Sequence, residues 1–180
     1  MKNIIIIAAL FISFSASAQF KSANLTAAGL TCAMCTRAIN IALDKLPFIE
    51  SVKANIKTSS FDISFKSGTP ISFDAMKKAV EDAGFSVSKL AVKADFKNVS
   101  VKNDSHIKLG DKTLHFLKIP ASTLNGENAI VIVDKDYLSA KEYKKYAAAT
   151  NMACVHTGKA ESCCTGAGIQ AGTRIYHVTI

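Results

Sequence analysis

Polar and apolar positions change period several times along the chain, and each change marks an element. Asn24, Thr26 and Ala28 alternate with Leu25, Ala27 and Gly29, a strand pattern that ends at Gly29-Leu30-Thr31. Beyond it Ala38, Ile39, Ala42, Leu43 and Leu46 recur at helical spacing until Pro47 stops the segment. Val52, Ala54 and Ile56 then alternate with Lys53, Asn55 and Lys57, and Phe61, Ile63 and Phe65 alternate with Ser60, Asp62, Ser64 and Lys66. These are two half-buried strands joined by the polar turn Thr58-Ser59. Ser72 is a good helix N-cap. Phe73, Met76, Val80 and Ala83 follow on one helical face until Gly84 supplies a left-handed stop. Val87, Leu90 and Val92 mark a last strand. The order strand, helix, strand, strand, helix, strand over residues 22–95 predicts the ferredoxin-like split arrangement, with two helices covering one face of an antiparallel sheet.

The pattern after residue 95 is different. Residues 99–101, 106–109 and 114–119 read as short strands separated by Asn103-Asp104 and Gly110-Asp111 turns, and residues 129–133 as a wholly apolar strand. Ser139-Ala140-Lys141-Glu142 has the form of a capping box, ahead of a helix that runs to about residue 149. Residues 153–157 and 174–180 complete the set of strands, and residues 93–97 read as a junction. The expected fold class is α+β. A ferredoxin-like βαββαβ domain over residues 19–95 precedes a small β-rich domain with one helix over residues 96–180, of the kind that closes as a partly open barrel.

The first residues change the compartment. Met1-Lys2-Asn3 leads into an apolar run over residues 4–14 and then Ser15-Ala16-Ser17-Ala18. A basic start, an apolar stretch of about 7–15 residues and a small-residue ending describe a secretory signal peptide, here residues 1–18. The run is shorter than the roughly 20 residues that span a bilayer, and no later stretch reaches that length. The expectation is a periplasmic or secreted chain without a membrane span after cleavage. The formal net charge is +8, but the basic residues are dispersed over both halves and Trp is absent. With no dense basic run, nucleic acid is a poor partner.

The five cysteines fall in two groups, Cys32 with Cys35 and Cys154 with Cys163 and Cys164. Cys35 is expected on the first turn of a helix, where free N–H groups and the helix dipole favour a thiolate. Two such thiolates, two residues apart, can face one soft ion. Covalent haem attachment needs His after the second Cys, where this chain has Thr36. A redox pair and a structural disulfide both stay open on residue chemistry alone.

A resemblance narrows the choice. Gly29-Leu30-Thr31-Cys32-Ala33-Met34-Cys35, with Glu81-Asp82-Ala83-Gly84-Phe85 closing the second helix, resembles the heavy-metal-associated domain family over residues 22–95. That family includes copper chaperones, N-terminal domains of metal-exporting P-type ATPases and a periplasmic mercury-binding protein. The resemblance implies that Cys32 and Cys35 hold the ion, with Cu(I) the first choice and Hg(II) or Zn(II) the alternatives. It implies a metal-transporting ATPase or another metal-accepting protein as partner, and it places Phe85 beside the site as a shield. The family usually has Met at the position of Leu30, where it supports the loop from the core. Leu is close enough in size to keep that role. In the second half, Cys154, His156, Cys163 and Cys164 form a soft-ligand cluster that reads either as a second metal site or as a disulfide, while His106, His115 and His177 read as ordinary strand or surface residues. No arrangement of nucleophile, base and orienting group is visible, so the chain is not expected to be an enzyme.

Overall fold

A computed structural model describes residues 20–30 and 32–180. The signal segment, residues 1–18, lies outside the described residues. The ferredoxin-like order expected for the first part is present: β1 (Phe20–Ala28), α1 (Ala33–Asp44), β2 (Ile49–Asn55), β3 (Ser60–Phe65), α2 (Phe73–Asp82) and β4 (Ser86–Val101). β1 lies between β3 and β4, antiparallel to both, and β3 carries β2 on its outer side. Ala23, Leu25 and Ala27 of β1 and Phe61, Ile63 and Phe65 of β3 are buried. α1 presents Thr36, Ile39 and Leu43 to this sheet, and α2 presents Phe73, Met76 and Val80. The turn between β2 and β3 is a single 3-10 turn, Ile56–Thr58, capped by Asn55 and closed by Ser59 in the left-handed region.

The junction expected at residues 93–97 is strand instead. Burial alternates without a break through Leu90, Val92, Ala94 and Phe96, so the chain has the strand period here and continues in the sheet. A register shift between Phe96 and Val99, with Asn98 at φ 50°, bends β4 without ending it. β4 pairs with β7 (Ser122–Ile132) from Leu90 to Val101. β7 begins well before the apolar run at residues 129–133, through a mostly polar first half in which Leu124 is buried and pairing with β4 sets the strand. β5 (His106–Leu109), β6 (Lys112–Phe116) and β8 (Ile175–Thr179) complete one eight-stranded open sheet in the order β2-β3-β1-β4-β7-β8-β6-β5. The ends of that order are β2 and β5, which excludes the closed end of a barrel. The capped helix α3 (Ala140–Ala147) forms as the capping box predicts, with Ser139 Oγ accepting from Glu142 N–H. Residues 153–157 are a correction. They form the helical turn α4 (Cys154–Thr157), followed by a second, α5 (Ser162–Thr165), each tied by short i to i−3 or i−4 bonds rather than a ladder.

One hydrophobic core runs through both parts of the chain, from Phe61 and Ile63 through Val92 and Phe96 to Phe116, Ile132, Tyr137 and Tyr176. Phe73 links the parts directly, edge-on to Phe20 at 5.3 Å and to Tyr176 at 5.0 Å between ring centres. A fully buried ring of this kind contributes about 1.5–3 kcal/mol. Beside it is a polar clamp. Asp74, in the first turn of α2, accepts a bidentate pair from Arg174 (Nε to Oδ2 and Nη2 to Oδ1, both 3.0 Å) and hydroxyl bonds from Tyr137 (2.8 Å) and Tyr176 (2.9 Å). Arg174 also reaches Asp134 Oδ2 at 2.8 Å and lies over the Tyr176 ring. Among the described residues, no helix is long and apolar enough to cross a membrane.

The clamp predicts an acid limit to stability. Burial alone would raise the Asp74 carboxyl, but hydrogen bonds from Arg174 and Tyr137 and the Arg174 charge outweigh it and hold the group below its ordinary value. A carboxylate depressed in the folded state stabilises above its unfolded value and loses that contribution as pH falls through the folded value, here below about pH 4. Asp74→Ala should cost about 2 kcal/mol at neutral pH and flatten the acid limb of a pH series of urea unfolding curves. An acid limb of unchanged steepness would show that Asp74 does not carry it.

Candidate metal centre

The loop from β1 to α1 positions the first thiol pair. Cys32 has extended backbone (φ −151°, ψ 160°) and stands at the N-cap of α1, where its Sγ accepts the Cys35 N–H at 3.3 Å. Sulfur here does what a Ser or Asp oxygen does at other helix starts. Cys35 follows in the first turn, and the two Sγ atoms are 2.6 Å apart. Cys32 is exposed and Cys35 half-buried, with Met34 between them 74% exposed. The pair is thus presented to solvent at the positive end of a twelve-residue helix. Thr36 anchors the turn from below, its N–H donating to Cys32 O at 3.2 Å while its side chain is buried. Leu30 packs against the main core, the supporting role expected of it.

Phe85 reaches this end of the molecule through a helix stop. The Phe85 N–H donates to Val80 O and the Gly84 N–H to Glu81 O, the paired bonds that close a helix on a left-handed residue. Gly84 has φ +88°, a conformation that a side chain would strain. The β1–β4 register pairs Ala28 with Ser86, so Phe85 and the cysteine loop leave adjacent strands at the same edge. Phe85 itself is half-buried against the core.

The second group is assembled differently from the sequence expectation. Cys154, Cys163 and Cys164 do come together, with their sulfurs all within 4.8 Å. His156 does not join them. It is exposed, and its Nδ1 lies 3.3 Å from the Tyr143 hydroxyl. Instead the histidines expected to be scattered form a row. His106 pairs with His115 across β5 and β6, and His115 with His177 across β6 and β8. The first two rings stack at 4.1 Å and the second two meet edge to face at 5.0 Å. His115 and His177 are fully buried. Strand positions 106, 115 and 177 carried the signal, but only the register aligns them.

Electrostatics separate these groups. Burial first, then the neighbouring imidazoles of His106 and His177, hold His115 down to about 4 against its bond with Asp104. Burial pushes the Cys154 thiol up, with Cys164 adding to it. Burial works the same way on Cys163, but the Cys154 backbone and the thiols beside it outweigh that and hold Cys163 below its ordinary value.

A ferredoxin-like sheet with an exposed thiol at the cap of its first helix and a half-buried one in the first turn defines a dithiol domain of the α+β class. The family follows from comparison: residues 25–86 match "Heavy-metal-associated domain", and this segment is a domain of that family. Over 74 residues the chain is 35% identical to the "Probable copper-exporting P-type ATPase" of Archaeoglobus fulgidus, a match that takes in 40% of this chain and 9% of the ATPase. It therefore spans a small part of that relative. Among solved structures, "CopZ metallochaperone" is 24% identical with a TM-score of 0.34, over 37% of this chain and 97% of the other. Oxidized MerP from Ralstonia metallidurans CH34 is 25% identical with a TM-score of 0.36, over 38% and 94%.

The cap geometry predicts how the thiols can be replaced. Cys32→Ser keeps an N-cap acceptor and should change stability by less than about 0.5 kcal/mol, whereas Cys32→Ala should cost about 1 kcal/mol. Urea unfolding of the two reduced variants checks this, and equal losses in both would refute a capping role for the sulfur.

Proposed function

We propose that the protein is an extracytoplasmic carrier of a soft metal ion, Cu(I) first, held by Cys32 and Cys35 and passed to a partner by thiolate exchange. The observation that carries this reading is the Cys32–Cys35 pair at the start of α1, with Cys32 exposed at the N-cap and Cys35 half-buried in the first turn of the helix. Two thiolates suit a soft ion that accepts low coordination, whereas structural zinc takes four ligands. An open shell lets an incoming sulfur bind before an outgoing one leaves. The ion then moves from one protein to the other with its charge unchanged, and each departing thiolate takes up a proton. The family match supports metal binding, and the likeness to a copper-exporting ATPase supports copper and a transporter of that kind as acceptor. The signal-like pattern of residues 1–18 supports a periplasmic or secreted location. Hg(II) has the same thiolate preference and is the alternative ion.

The short sulfur separation also favours one competing reading, a dithiol that cycles with its disulfide. The two readings part on a single comparison. Reduced protein should take up one Cu(I) through this pair, and Cys32→Ser/Cys35→Ser should lose that equivalent with the fold retained. A double variant that keeps the full uptake of the wild type would defeat the assignment, and weak uptake with a readily reversed disulfide would favour redox cycling.

Phe85 serves as the shield in this scheme. Its ring excludes water and competing thiols without contributing a ligand atom. Phe85→Ala should therefore speed the loss of Cu(I) to a competing chelator several-fold while shifting equilibrium affinity much less. Identical stopped-flow traces for variant and wild type would rule the shielding out.

A further inference from the structure

Outside the heavy-metal-associated segment, two thiols and two imidazoles converge on a third thiol, Cys154. Its sulfur belongs to two groups whose ligand atoms all lie within 4.8 Å of one another, one with Cys163 and Cys164 and one with His106 and His115. Cys154 Sγ is 3.7 Å from His115 Nδ1, and the sulfurs of Cys163 and Cys164 are 3.5 Å apart. A tetrahedral ion with metal–sulfur bonds of about 2.3 Å and metal–nitrogen bonds of about 2.0–2.1 Å sets its ligands roughly 3.6–3.8 Å apart. The Cys154–His115 and Cys163–Cys164 separations have that spacing, and the histidine group and the thiol group meet at Cys154.

The imidazole is also held as a ligand would be. His115 Nε2 lies 3.2 Å from Asp104 Oδ1, so the ring N–H donates to the carboxylate and the Nδ1 lone pair is directed towards Cys154. Asp104 is fixed in turn, its backbone N–H on Phe116 O and its Oδ2 accepting from Asn103 Nδ2. His106 stacks on His115, and its Nε2 is buried without a hydrogen-bond partner among the described residues. Simple packing explains part of this, since Cys154 and Cys164 sit in a small apolar cluster with Ala160 and Ile175. Packing alone does not call for an aspartate-held imidazole whose free nitrogen meets a thiol.

We propose that Cys154, Cys163, Cys164 and His115 form a second site that binds one thiophilic d10 cation, Zn(II) or Cu(I), with Asp104 as the positioning residue behind His115. Metal binding draws His115 and the Cys163–Cys164 pair, which meet at Cys154, into one four-ligand shell, two of whose members are fully buried cysteines. This site retains its ion, where the first site exchanges it. Cys163 is the half-buried member of the three cysteines. The proposal rests on residues outside the heavy-metal-associated domain, so it stands or falls separately from the proposed carrier function.

The test uses the full-length Cys32→Ser/Cys35→Ser chain, reduced and kept anaerobic, titrated with Co(II) followed by Zn(II), and in parallel with Cu(I). One equivalent should bind. The Co(II) arm should give the absorption of a tetrahedral thiolate site, and Zn(II) should abolish it. Cu(I) uptake at one equivalent without a Co(II) spectrum supports the same site and assigns its ion. Added to this background, Cys163→Ser and Asp104→Asn should each weaken binding roughly ten- to a hundredfold. Uptake of neither ion, including uptake blocked by a disulfide between Cys154 and Cys163 or Cys164 that survives reduction, overturns the proposal. So does uptake undiminished in both variants.

Discussion

β4 is the constraint on which the rest depends. Its first part, Ser86–Ala94, pairs with β1 and its later part, Leu90–Val101, with β7, so two parts of the chain with different sequence textures share one sheet. A flexible connection in its place would let each part choose its own orientation. The strand denies that freedom, and the Phe73–Tyr176 contact and the Asp74–Arg174 clamp then fall into register across the join. Charge supports shape here. The clamp is stabilising because Asp74 is met by a bidentate guanidinium and two hydroxyls at once, which leaves few of its lone pairs unsatisfied.

That frame holds two thiol groups of opposite character. The Cys32–Cys35 pair sits on a loop and a helix end, exposed, with a sulfur that also caps the helix. A site of this kind is built for access. Cys154, the first residue of α4, is fully buried and faces an imidazole oriented by a carboxylate. Such a site is built for enclosure. The contrast comes from local structure: a long helix presents its first turn to solvent, while α4 and α5 are single turns folded back onto β6 and β8, anchored by the bridge between Lys159 and Arg174.

Much of the first part was legible because its signals are local. Alternation at Phe61, Ile63 and Phe65, the Ser72 cap and the Gly84 stop each depend on neighbours a few residues away, and each is found where expected. Cys35 on the first turn of α1 follows from the same kind of signal. The errors lie where long-range pairing decides. The junction at residues 93–97 looked loose because Lys93, Asp95 and Lys97 are polar, yet these are the outward positions of a strand whose inward ones are Val92, Ala94 and Phe96. His156 is close to Cys154 only in sequence, whereas His115 comes to it through long-range pairing, β6 lying parallel to β8, which no local pattern encodes.

The most direct test of the exposed pair is residue-resolved NMR of the reduced, full-length chain during titration with Cu(I) to saturation. Coordination by Cys32 and Cys35 predicts that the amides of Cys32, Met34, Cys35 and Thr36 shift as one equivalent binds, with Phe85 responding beside them. If the protein saturates with Cu(I) and those amides never move, the ion is held elsewhere and the account of this site is wrong.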